Sequence, residues 1–123
     1  MILAVAVGLA GGIGAVLRFV VDGAVQRRRP SPFPLGTLLI NVGGSLVLGL
    51  ATGLAWYHGL DDHTKLVVGT GFCGGLTTWS TASWETVRLV EDRYFGLAFA
   101  YTFGGLAVAI GAAAAGMALA AAF

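Results

Sequence analysis

The stretch GFCGGLTTWSTASWE (residues 71–85) decides how this chain is read. It falls where a third membrane span belongs, yet it carries glycines, hydroxyls and a carboxylate. A transmembrane helix needs about 20 predominantly apolar residues. Working outward from residues 71–85, four such segments tile the chain, at roughly 2–21, 35–57, 66–90 and 95–122. The composition agrees: 57% of the 123 residues are hydrophobic and 11% are charged, where a soluble domain carries about 25%. That leaves too little charge to wet a globular surface. The expectation is an all-α membrane protein, one domain over residues 1–123 with four transmembrane helices. Little chain remains outside the lipid, so the functional residues must lie in or near the bilayer.

Several classes drop out. The single Cys73 excludes an internal disulfide and an all-cysteine metal site within one chain. The net charge of +1 comes with no basic stripe, so no nucleic-acid partner is expected. No nucleophile–base pair stands out, and His58 and His63 sit in or beside a short connector, where they are expected to be solvated; the chain does not read as an enzyme. The amino-terminal run lacks the basic start of a signal peptide and reads as a span.

The connectors are residues 26–34, 58–64 and 91–96. QRRRPSPFP (26–34) cannot continue a lipid-facing helix, because its prolines lack donors. Asp61 or Asp62 can cap the helix that follows the second connector. With four spans, the first and third connectors share one side of the membrane. That side carries Arg27, Arg28, Arg29 and Arg93, with Arg88 adjoining; the other side carries only Lys65. Lys and Arg favour the cytoplasmic side, which predicts that both termini face outward.

Small residues recur four apart at Gly8/Gly12, Gly11/Ala15, Gly49/Gly53 and Gly71/Gly75. This spacing lets helix backbones approach closely in lipid. A compact bundle or an oligomer follows, and four short helices have so little interior that a pore would form between subunits.

Each polar residue in the spans admits two readings. Asn41 either bonds another helix or offers an N–H to an anion on a pathway. Arg18 either snorkels to the interface or forms a cationic vestibule. Glu85 either pairs with Arg88 at i+3 or relays protons. Gly74 and Gly75, followed by Thr77 and Thr78, weaken the third helix at mid-membrane. Non-helical backbone survives there only inside protein or along a cavity, where freed carbonyls can hold a cation. The alternative is a glycine kink with hydroxyls bonded back to their own helix. Downstream, Trp79, Ser80, Thr81, Ser83 and Trp84 place aromatics and hydroxyls on successive faces.

Three motifs, GGIGAVLRF (11–19), PLGTLLINVGGSLVLG (34–49) and residues 71–85, together resemble the signatures of the CrcB/Fluc fluoride channels. Their order and the four-span layout match as well. The resemblance implies four helices with the third broken near 74–78, and two subunits assembled antiparallel, in opposite orientations, in the cell membrane. It implies two fluoride pathways that passively export cytoplasmic fluoride, and a structural sodium ion at the dimer centre. Carried onto this chain, the sodium-binding carbonyls are those of Gly74 and Thr77. The pathway residues are Asn41, Trp79, Ser80, Thr81 and Tyr101, and the vestibule cation is Arg18.

The chain departs from the family pattern in places. Trp79 and Ala82 stand where the family usually has phenylalanines, and Gly105 stands where a serine usually follows the tyrosine. The polar track is thinned. The arginine bias also hinders one sequence from inserting both ways. One half of a heterodimer with a paralogous subunit is therefore expected. A non-conducting structural partner is a second reading. A small multidrug antiporter is a third, but it needs a carboxylate within the first span, and residues 2–21 hold none.

Overall fold

The computed structural model describes all 123 residues, and it is helical throughout, without strands. Helix α1 is Ile2–Arg28 and α2 is Leu35–His58. Helix α3 covers residues 62–76 as Asp62–Leu66, a widened π-type segment Val67–Cys73 and a last turn Gly74–Leu76. Helix α4 is Trp79–Glu91. Helix α5, Phe95–Ala121, contains a second widened segment at Ala100–Gly104. α1, α2 and α5 are each long and apolar enough to cross a bilayer alone. α3 and α4 run in series as the remaining crossing, slightly longer at both ends than expected.

The helix ends follow local chemistry. α1 stops before Pro30, with Arg27 and Arg28 in its last turn, where cations favour the negative end of the helix dipole. α2 closes on Gly59, whose φ of 68° is left-handed, and the N–H groups of Gly59 and Leu60 both reach the Leu54 carbonyl. Of the two candidate caps, Asp61 is the one used. Its carboxylate accepts from the Thr64 N–H at 2.9 Å and the Thr64 hydroxyl at 2.7 Å. Those bonds hold the Asp61 carboxyl below its ordinary range.

Close backbone contact joins the helices in two pairs. Gly49 of α2 lies against Ala113 of α5, and Gly53 against Met117 and Ala120. Gly75 of α3 lies against the backbone of Gly11 in α1, and Gly14 fits beneath Phe72 and Leu76. The spacing argument holds at these positions. Gly8 and Gly12 meet nothing within 4 Å in this chain and face away from the bundle.

The two ends of the bundle differ. Phe33, from the first connector, packs edge-on against Tyr101 with centroids 5.7 Å apart, beside Leu89 and Ala98. This brings the two arginine-bearing connectors to the same end. At the other end His58 Nε2 bonds the Ala120 carbonyl at 2.7 Å. His58 is exposed but not merely solvated: it ties the end of α2 to the end of α5. Only 18 of 123 residues are buried, so the chain has almost no interior in which to enclose a pathway.

Candidate functional site

The third crossing breaks at Thr77 and Thr78, both extended, with ψ of 157° and 122°. The preceding glycines do not break it: Gly74 and Gly75 remain helical. The break therefore lies at the threonine end of the expected 74–78 segment. Its geometry is set by side chains. The Thr77 hydroxyl donates back to the Cys73 carbonyl at 2.8 Å. The Thr78 hydroxyl caps α4 by accepting the Thr81 N–H at 3.2 Å. Across from the break, Asn41 of α2 grips Thr78 twice. Its Oδ1 accepts the Thr78 N–H at 2.8 Å and its Nδ2 donates to the Thr78 carbonyl at 3.1 Å.

These captures have a direct consequence. In an unbroken helix the Thr78 N–H would bond the Gly74 carbonyl, and the Thr81 N–H would bond the Thr77 carbonyl. Asn41 takes the first donor and the Thr78 hydroxyl takes the second. The carbonyls of Gly74 and Thr77 are thereby left without helical partners. In a bilayer such groups need another partner or a cavity.

A cavity is there. A groove of about 390 Å³ opens along the break between α2, α3, α4 and α5. It brings together Asn41, Gly74, Thr77, Trp79 and Tyr101. Ala82 and Gly105, the two departures from the family pattern, also line it. Ser80 and Thr81 do not: they sit behind the break, their hydroxyls 3.3 and 3.1 Å from the Thr78 hydroxyl. Arg18 is also outside the groove. It follows Gly11 and Gly14 on the α1 face that meets α3. Trp79 is 77% exposed, so its ring edge is available to whatever covers the groove.

Glu85 does not form its expected ion pair with Arg88. Thr37 donates to one carboxylate oxygen at 3.0 Å and the Tyr101 hydroxyl to the other at 2.9 Å. Arg88 instead lies over the Trp84 ring, 5.4 Å from its centroid. The Tyr101 hydroxyl is therefore committed to Glu85, and its ring fills the groove wall. Sequence reasoning missed Thr37, Ser45, Thr86 and Thr102. Thr37 and Ser45 stand one helical turn either side of Asn41, a spacing that could have found them. Thr86 and Thr102 meet at 3.1 Å across α4 and α5, which no spacing within one helix could reveal. Both readings of the hydroxyls hold in part: Ser83 and Thr86 bond back to their own helix, at 2.8 and 2.9 Å, while the backbone upstream of that helix is broken at Thr77 and Thr78.

The sequence profile of the family described as "CrcB-like protein, Camphor Resistance (CrcB)" matches residues 5–117. The chain belongs to the CrcB family. A relative from Leifsonia xyli subsp. xyli, named fluoride-specific ion channel FluC 1, is 50% identical over 116 residues, covering 94% of this chain and 85% of its own. One from Mycolicibacterium paratuberculosis, named fluoride-specific ion channel FluC 2, is 50% identical over 112 residues, covering 87% of this chain and 88% of its own. All three motifs of this CrcB chain lie within the matched span. With its apolar crossings, it is a multi-pass membrane protein.

Proposed function

We propose that this chain is a subunit of a fluoride-selective channel that lets cytoplasmic fluoride leave the cell passively. The observation that carries the reading is the groove at the broken crossing, in a chain half identical to relatives named as fluoride channels. Fluoride is small and strongly hydrated, so its water must be replaced by donors. Asn41 spends one N–H on Thr78 and keeps the other. Ser45 lies one turn away on the same wall. The Trp79 ring offers a positive edge, which suits an anion. None of these is a full charge, and weak ligands let an ion leave as well as enter.

The groove is open on one side, and a second subunit would close it. In the antiparallel arrangement the two breaks would meet. The carbonyls of Gly74 and Thr77 from both subunits suit sodium, since unwound carbonyls are its usual protein ligands in membranes. When bound, that ion would supply a fixed positive charge and join the subunits. The arginine-bearing connectors would face the cytoplasm and the termini the outside. Ala82 and Gly105 leave this wall short of an aromatic and a hydroxyl. Together with the arginine bias, they favour a paralogous partner over a second identical copy.

Fluoride efflux from liposomes, driven by a potassium diffusion potential and read with a fluoride electrode, tests this. The chain paired with a paralogue of opposite charge bias gives fluoride efflux, while chloride-only vesicles stay silent. Efflux from the chain alone keeps the channel and overturns the heterodimer. Silence of both preparations, with folded protein present, sinks the channel reading.

A further inference from the structure

A second groove, of about 610 Å³, runs along the outer face of α1, opposite the face that packs on α3. Gly8 and Gly12 form a bare strip, and Leu9, Ile13, Val16, Leu17 and Val20 form the wall along one side of it. From Gly8 to Val20 it is about 18 Å long at 1.5 Å per residue. One leaflet of the hydrocarbon core is about 15 Å deep, so the length suits a lipid tail. The wall residues Leu9, Ile13, Val16 and Val20 alternate by four and three residues, and the same stripe continues through Gly23 to Arg27. There the guanidinium folds back: it lies 3.6 Å from where a Gly23 side chain would begin. The bare glycine lets the cation lean along the stripe toward the groove. Arg28 and Arg29 are exposed beside it.

We infer that this face binds one anionic phospholipid, with a tail in the Gly8–Val20 groove and its phosphate on Arg27 and Arg28. The groove is apolar and its open end is cationic, which matches an anionic lipid and not a zwitterionic one. The inference does not depend on what the chain conducts.

Native mass spectrometry of the protein in mild detergent, titrated with phosphatidylglycerol or phosphatidylcholine of identical tails, tests it. One phosphatidylglycerol per chain is retained in preference. Gly12→Leu fills the groove where nothing stands within 4 Å, so it does not lower the melting temperature and cuts retention several-fold. An arginine at an anionic surface strengthens attachment about fivefold, so Arg27→Gln with Arg28→Gln weakens phosphatidylglycerol about 30-fold. Equal retention of both lipids, or Gly12→Leu without effect, overturns the inference. A dimer that dissociates in Gly12→Leu, by light scattering, also overturns it, because a second copy would then occupy the groove.

Discussion

The third and fourth crossings contain nearly the same troublesome elements. Each has two adjacent glycines, Gly74–Gly75 and Gly104–Gly105, with threonine close by. Each also has a widened segment, at Val67–Cys73 and Ala100–Gly104. Yet the third breaks and the fourth stays helical to Ala121. The difference lies outside both helices. Asn41 offers the third crossing an acceptor and a donor for Thr78. In the fourth, Thr102 finds only the Thr86 hydroxyl, which bonds side chain to side chain and leaves the backbone alone. Without an outside partner, backbone in lipid must satisfy itself within the helix. A glycine pair permits a break; an amide reaching in from another helix makes it.

The strongest way to break this comparison is Asn41→Leu. It strands the Thr78 N–H at about 1–3 kcal/mol, while the Thr78 carbonyl, at the N-cap of α4, keeps the bond from that helix's first turn. The expected result is a large drop in melting temperature in detergent, with Asn41→Asp in between because it keeps an acceptor. Wild-type melting in Asn41→Leu would mean that the break is intrinsic to the threonines.

Next comes a pair of glycine substitutions. Gly75→Val drives a side chain into the Gly11 backbone, and such overpacking costs about 1–3 kcal/mol. Gly111, in the fourth crossing, meets nothing within 4 Å. Gly111→Ala should raise stability by up to about 1 kcal/mol through helix propensity. Equal effects at the two sites, by thermal unfolding, would erase the distinction between contact glycines and free ones.

Tyr101→Phe removes the bond to Glu85 and keeps the ring against Phe33. The expected loss is about 1 kcal/mol, smaller than at Asn41 because no backbone group is stranded. A loss as large as that of Asn41→Leu would place the Glu85 cluster, not the amide grip, at the centre of the fold.

The smallest effect is at Asp61, the cap that starts the third crossing. Its carboxyl is held low by Thr64. A depressed folded value means that the cap stabilises above the unfolded carboxylate value, about 3.9, and fades as pH falls through the folded value. Exchange of the Thr64 amide should be faster in Asp61→Ala than in wild type at pH 6. The two should converge on acidification below pH ~4. A gap that persists in acid would show that charge is not what Asp61 contributes.

Much of the site was legible. Asn41 stood out because an amide in lipid demands a partner, and residues 71–85 stood out because they resist being a plain helix. What stayed hidden was pairing. Glu85 has Arg88 three residues away, so local spacing pointed there; the structure gives its oxygens to Thr37 and Tyr101. Gly8/Gly12 and Gly71/Gly75 share one spacing, yet only the second pair meets another helix. A repeat says that a face is smooth, not which way it points.

The sequence by itself determined the number of crossings, most of their ends and the weak point in the third, although α1 runs to Arg28, seven residues past the expected 21. Those depend on hydropathy, prolines and caps, which act over a few residues. Tertiary structure decided where the weak point opens and which carbonyls it frees. It also decided that Trp79 and Tyr101 share a groove while Arg18, Ser80 and Thr81 stay off its wall. Such outcomes turn on which donor reaches which acceptor first across helices. In a bilayer, where the backbone cannot turn to water, the Asn41 amide 37 residues before Thr78 outcompetes the helix's own next turn.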